Sequence, residues 1–267
     1  MLRDRILTAL VVAPPVLALM FFAPRIAFEG LVAAAIVGGA WEWGGLMSCE
    51  RGKRIAYTVL VAALVVAVAL WTAVDSNAFR YMIALALAWW LFVFGWLAFM
   101  PARQPGTAWK GLCGVLTLVP TFATLTALHA WDADGAWRVL YLLALVWLAD
   151  IGAYFFGRAS GKHKLAPRVS PGKTWEGVLG AFIAAGFVIA AGAAFGLGFG
   201  EPWQFAALSL ATVALSIVGD LAESMFKRQQ GVKDSGTLLP GHGGLLDRID
   251  SLTSATPLFV GGMLWLA

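Results

Sequence analysis

Apolar residues in this chain fall in long, unalternating runs. Neither the period of two of a half-buried strand nor the narrow stripe of a soluble amphipathic helix dominates. Nine runs are read, at about 6–23, 26–46, 55–74, 79–99, 109–130, 137–157, 176–199, 203–219 and 251–267. Each is long enough to cross roughly 30 Å of hydrocarbon. Lipid offers no hydrogen-bond partners, so a spanning segment closes its backbone bonds as a helix or within a barrel. Runs without alternation select the helix. The expected fold class is therefore all-α: a polytopic helical membrane bundle of about nine transmembrane helices. The second run is weakened by Glu42 and the eighth runs into Asp220. Pro14-Pro15 predicts a kink in the first run, which is too long and too poorly terminated for a cleaved signal peptide and is read as retained.

Composition agrees. The 267 residues are 60% hydrophobic and only 13% charged, with 13 Trp, and the mean hydropathy is +0.80. These values exclude a soluble globule. Charge adds an orientation. The N-terminus and the segments 47–54, 100–110, 158–175 and 220–250 hold 16 of the 19 Lys and Arg residues; the opposite set holds only Arg25, Arg80 and Arg138. The positive-inside rule then puts the N-terminus and these segments in the cytoplasm of a multi-pass inner-membrane protein. The opposite loops carry Glu29, Asp75, Asp132, Asp134 and Glu201, to which no chemistry is assigned. A pI near 9.3 reflects this orientation and a polyanionic substrate, and no nucleic acid is expected. Cys49 and Cys113 suggest neither a metal site nor a disulfide framework. There is no internal repeat or hinge linker. One membrane domain, 1–267, is expected, with 1–145 as scaffold spans and 146–255 as the catalytic region.

Four constellations carry the candidate chemistry. Asp150 lies late in an apolar span, with Tyr154 and Arg158 following at four-residue steps on one helical face. It can also be read as a helix-end acid paired with a nearby Lys or Arg. The loop GRASGKHKLAPRVSPGKTWEG alternates basic residues with Gly, Ser and Pro, which suits a phosphate cradle as well as an ordinary positive-inside loop. Within it Lys173 is assigned to a phosphate, Ser170 or Thr174 to a hydrogen bond, and Glu176 to a helix cap or to catalysis. Third, Asp220, Glu223, Ser224 and Lys227 share a helical face. Fourth, Asp247 and Asp250 stand three apart beside Arg248. Carboxylates from two helix ends can hold a hard cation such as Mg²⁺, which takes one or two carboxylates and completes its shell with water and phosphate oxygens; salt bridges with Lys227, Arg228 and Arg248 are the alternative. Salt bridges do not explain Gly241, Gly243 and Gly244 around His242, which permit a tight turn or close approach to a bulky anion. His242 is read as a phosphate contact and not as a general base.

The strings S-x-x-K-R, K-D-x-G and P-x-H-G-G-x-x-D-R-x-D place Ser224, Lys227, Arg228, Lys233, Asp234, Gly236, Pro240, His242, Gly243, Gly244, Asp247, Arg248 and Asp250 in one order. That order closely resembles the signature of the phosphatidate cytidylyltransferases, the CDP-diacylglycerol synthases. Asp150 followed by A-Y-x-x-G-R, and S-P-x-K-T-x-E-G at 170–177, resemble further blocks of that family. The likeness is strongest over roughly 146–255. It implies a specific reaction: CTP plus phosphatidate gives CDP-diacylglycerol and pyrophosphate, a step of phospholipid biosynthesis. It also implies Mg²⁺ and, in some members, a second monovalent cation such as K⁺. Asp220 and Asp247, with Asp250 or Asp150, are assigned to metal. Lys173, Lys227, Arg228, Lys233 and Arg248 are assigned to phosphates. A homodimer is allowed by the sequence without being dictated by it.

Three rival readings make distinct forecasts. A CTP-dependent polyprenol or lipid kinase would release CDP. A transporter would show two related halves with matching polar breaks, whereas polar content here gathers in the second half. A structural subunit binding anionic lipid through its basic loops would tolerate Asp220→Asn.

Overall fold

The computed structural model describes residues 13–74, 76–99, 105–236, 238 and 243–266. Nine helices are seen among them: α1 (Ala13–Phe22), α2 (Arg25–Leu46), α3 (Arg51–Val74), α4 (Ser76–Phe99), α5 (Thr107–His129), α6 (Gly135–Ser160), α7 (Trp175–Ala194), α8 (Pro202–Gln229) and α9 (Leu246–Leu266). Seven of them, α2 to α8, are long and apolar enough to cross a membrane. The first half of the run expected at 6–23 lies outside the described residues. Pro14-Pro15 lies inside α1.

The ends of the apolar runs are not the ends of the helices. The run read to 219 continues as α8 to Gln229, so Asp220, Glu223, Ser224 and Lys227 do lie on one helix, and the run read to 199 ends as α7 at Ala194. Helix α9 was expected from 251 and starts at Leu246 with Asp247 in its first turn. Apolarity marks the part of a helix inside lipid, and α8 and α9 extend beyond it, carrying their charged turns into the site. The basic loop after α6 is also more ordered than read. It forms a two-stranded antiparallel hairpin, β1 (Lys164–Ala166) with β2 (Ser170–Thr174), pairing Lys164 with Thr174 and Ala166 with Ser170. Its turn places Pro167 second of four, and Val169 N donates to Ala166 O at 3.1 Å, a position where proline's fixed φ is already correct. Thr174 then caps α7, its Oγ1 accepting from Gly177 N at 3.2 Å.

The core is assembled around α5, α8 and α9. Pro257 lies inside α9 and has no N–H, so the carbonyl of Thr253, four residues back, loses its helical partner. Trp90 Nε1 from α4 and Thr121 Oγ1 from α5 donate to that carbonyl at 3.1 and 3.2 Å. A helix defect at membrane depth thus becomes the point where three helices are joined. Ser254 Oγ donates to Leu215 O at 2.8 Å, linking α9 to α8. Small residues bring other helices together. A Cβ at Gly219 would stand 2.7 Å from Asp250 O, and one at Gly152 would stand 2.5 Å from Gly180 O. Close backbone approach of this kind is how helices associate where lipid removes the hydrophobic drive between them. At the other end of α6, Arg138 donates to Asp132 at 2.8 Å and holds its carboxyl below the usual carboxylate range.

Candidate active site

Five segments meet around a cavity of about 570 Å³. Helix α6 contributes Asp150, Tyr154 and Arg158, the hairpin Ser170, Lys173 and Thr174, α7 Gly177 and Val178, α8 Asp220, and α9 Asp247, Arg248 and Asp250. The four-residue steps along α6 do put its three groups on one wall. Arg158 donates to Tyr154 Oη at 2.8 Å there. The close crossing at Gly219 brings Asp220 alongside the first turns of α9. Lys173 Nζ and Asp220 Oδ2 form an ion pair of 2.6 Å, each side chain about one quarter exposed. Ser224 Oγ donates to Asp220 Oδ1 at 3.3 Å.

Asp247 is the most constrained of the four aspartates. Its Oδ1 accepts from Lys227 Nζ at 2.6 Å, and its Oδ2 accepts from Ser235 N at 3.0 Å and Gly244 N at 2.8 Å. Lys227 also donates to Glu223 Oε2 at 3.1 Å. Glu223 is 3% exposed, and its Oε1 has no hydrogen-bond partner among the described residues. Asp250 Oδ1 accepts from Ser251 N at 2.7 Å. All four aspartates line the cavity, but Asp247 takes the most hydrogen bonds from the protein, one from Lys227 and two from backbone amides.

Several expected contacts lie elsewhere. Lys227 stands behind Asp247 and not on the cavity wall. Arg228 donates to Val232 O at 3.2 Å and closes the end of α8. Lys233 is exposed beyond the lining residues. Thr174 is the N-cap residue of α7 and Glu176 stands in its first turn, as expected of an acid there; the Glu176 carboxylate also accepts from His163 N at 3.2 Å and pairs with His163 Nδ1 at 2.7 Å, tying the base of the hairpin to the helix. Gly243 has φ 81°, and so makes the tight turn. Gly244 approaches an anion, but the anion belongs to the chain itself: a Cβ there would stand 2.6 Å from Glu42 Oε2. Pro240, Gly241 and His242 lie outside the described residues.

Residues 3–264 match the model of the Cytidylyltransferase family. The chain belongs to that family. A phosphatidate cytidylyltransferase of Pseudomonas aeruginosa is 45% identical over 273 residues, covering 100% of this chain and 98% of the relative. One of Haemophilus influenzae is 38% identical over 287 residues, covering 97% of each. One of Staphylococcus haemolyticus is 48% identical over 134 residues, about half of each chain.

Membership gives the cavity a chemical demand: a cytidylyltransferase must hold a triphosphate. Four aspartates and three cations, Arg158, Lys173 and Arg248, line the cavity, and Lys227 pairs with Asp247 from behind it. Among the described residues no three His, Cys, Asp or Glu side chains stand close enough together to hold an ion by themselves. The donor set is hard oxygen with no thiolate, and Mg²⁺ characteristically binds one or two carboxylates and takes its remaining ligands from water and phosphate. The residues fit that ion.

Glu42 and Glu223 were missed as site-region groups. Glu42 had a signal, since an isolated acid within an apolar span marks function, but it had registered only as a defect of that span. Glu223 had been placed on the right helical face without a role of its own.

Proposed function

We propose that this chain transfers the cytidylyl group of CTP to phosphatidate at the cytoplasmic face of the inner membrane, giving CDP-diacylglycerol and pyrophosphate for phospholipid biosynthesis. The observation that carries the reading is the convergence of Asp150, Lys173, Asp220, Arg248 and Asp250 on one cavity at the charged ends of α6, α8 and α9. The full-length relatives named for this activity support it. The segregation of basic residues supports the cytoplasmic orientation.

A phosphate oxygen of phosphatidate attacks the α-phosphorus of CTP, the bond from that phosphorus to the bridging oxygen breaks, and pyrophosphate leaves opposite the nucleophile. The attacking oxygen is already anionic at neutral pH, so no general base is required. Catalysis reduces to positioning and charge neutralisation. Magnesium, when bound, supplies charge that neutralises phosphate oxygens; Asp220, with Asp250 or Asp150, would hold it. Lys173 exchanges Asp220 for a phosphate oxygen as substrate enters. Arg158 and Arg248 bind phosphate oxygens from the α6 and α9 walls. Lys227 fixes Asp247 and through it the start of α9.

The purified protein in detergent, given radiolabelled CTP and phosphatidate, is expected to release pyrophosphate and form a labelled lipid only with Mg²⁺. Release of CDP with transfer of a single phosphate would replace the reading with a lipid kinase.

A further inference from the structure

Glu42 is an acid inside an apolar helix, 1% exposed, and it lies in the half of the chain expected to act only as scaffold. A carboxylate buried at membrane depth is costly; a span needing only bulk there would be served by Met or Leu. Its oxygens are all engaged. Oε1 accepts from Leu245 N at 3.0 Å, and Oε2 accepts from Ser235 Oγ at 3.1 Å and Leu246 N at 2.8 Å. These donors come from a single stretch about two hundred positions along the chain. That stretch fits because two glycines leave room: a Cβ at Gly236 would stand 2.3 Å from Glu42 Oε1, and one at Gly244 2.6 Å from Oε2.

Ser235 and Gly244 are gripped from the other side as well, because their N–H groups donate to Asp247 Oδ2. Leu246, whose N–H donates to Glu42, is the first residue of α9, and Asp247 is the next. Glu42 therefore holds the connection from α8 to α9 at Ser235 and at its α9 end, and it accepts from a buried N–H at the start of α9 that has no partner within the helix. From Glu42 the bonds continue through Ser235 to Asp247, then to Lys227 and Glu223.

We infer that Glu42 is a positioning residue for cytidylyl transfer: a clamp by which α2 fixes the 235–246 connection and so aims the first turn of α9, with Asp247, Arg248 and Asp250, at the phosphates. The inference rests on the placement of those α9 residues in the site. It gives the N-terminal half of the bundle a direct part in the chemistry.

The test uses the full chain with Cys49 and Cys113 replaced and a single cysteine introduced by Leu238→Cys, an exposed position within the clamped stretch. Glu42→Gln puts an amide NH₂ against backbone donors. It is expected to lower kcat about tenfold or more while leaving the KM for phosphatidate within about twofold. The melting temperature stays near that of the parent, and maleimide labelling at 238 accelerates about fivefold as the stretch opens locally. Ser235→Ala, which spares the buried acid, moves both readouts in the same direction by less. Gly236→Ala, which drives a methyl into the carboxylate, reproduces Glu42→Gln. If Glu42→Gln fails to fold, these two variants decide. Parental kcat with unchanged labelling overturns the clamp. A kcat loss that only tracks loss of folded protein, with labelling unchanged, overturns it equally. Asp247→Asn with parental turnover would instead remove α9 from the site, and the labelling readout would still report on the clamp.

Discussion

Lys173 and Asp220 meet at 2.6 Å while both remain partly exposed, and a pair in that setting contributes at most about 1 kcal/mol to stability. Replacing either residue therefore barely touches folding, so a large kinetic effect must come from chemistry. Asp220→Ala is expected to reduce Mg²⁺-dependent turnover at least about a hundredfold, roughly 2.7 kcal/mol of transition-state stabilisation, while inserting and purifying normally; Asp247→Ala, which leaves the buried Lys227 one partner short, is expected to lose turnover together with stability. Parental activity in both would remove these carboxylates from the reaction. Lys173→Ala is expected to raise the KM for CTP about tenfold with a smaller change in kcat, because its ammonium group meets phosphate in the ground state and the transition state alike; unchanged kinetics for CTP would take it out of the site. Sequence order alone located these residues, since charge is scarce in this chain and gathers where α6, α8 and α9 leave the apolar runs. It did not reveal their partners. That Asp247 is held by Lys227 and by the backbone amides of Ser235 and Gly244 depends on contacts that residue order does not show.

Helices α6 and α7 carry one wall of the site and the hairpin between them. Their contact runs through small residues. A Cβ at Gly180 would stand 2.5 Å from Phe156 Cβ and 2.6 Å from Gly152 O, whereas one at Gly186, on the same helix, meets nothing within 4 Å. Gly180→Val is expected to cost about 2 kcal/mol or more by forcing the helices apart and to lower activity by shifting Lys173 relative to Asp220. Gly186→Val, facing open space, should leave thermal stability and turnover near the parental values. Equal behaviour of the two variants would mean that this packing does not position the wall. Element existence was legible from hydrophobic run length. Element ends were not, because hydropathy reports immersion in lipid, and α8 and α9 both extend outside it. The hairpin went unread for a related reason. Its two strands are short and carry charge, and Pro167 at the turn was the one local cue.

For the whole molecule, the segregation of Lys and Arg predicts an orientation in which the cavity, lined by Arg158, Lys173 and Arg248, faces the cytoplasm. In a cysteine-free background, Arg168→Cys in the hairpin turn is expected to react with an impermeant maleimide only in inverted vesicles, and Asp134→Cys in the loop before α6 only in intact cells stripped of outer membrane. Reversal of that pattern would put the cavity on the side without nucleotides and end the proposed reaction. The fold also joins halves that composition had separated. Trp90 and Thr121 from the N-terminal helices satisfy the Thr253 carbonyl freed by Pro257, and Glu42 holds the connection into α9.

Hydropathy, a local property of the chain, was enough to determine that this is a helical membrane protein; charge, equally local, predicts which side its basic loops occupy and marks the segments that meet around the cavity. Lipid immersion and charge exclusion act on each segment separately, so each leaves a mark in that segment. Pairing does not. Whether Gly244 faces a substrate anion or Glu42, whether Lys227 lines the cavity or stands behind Asp247, and which carbonyl answers Trp90 all depend on residues far apart in the chain. Only the packing of α2, α4, α5, α8 and α9 brought them within hydrogen-bonding distance.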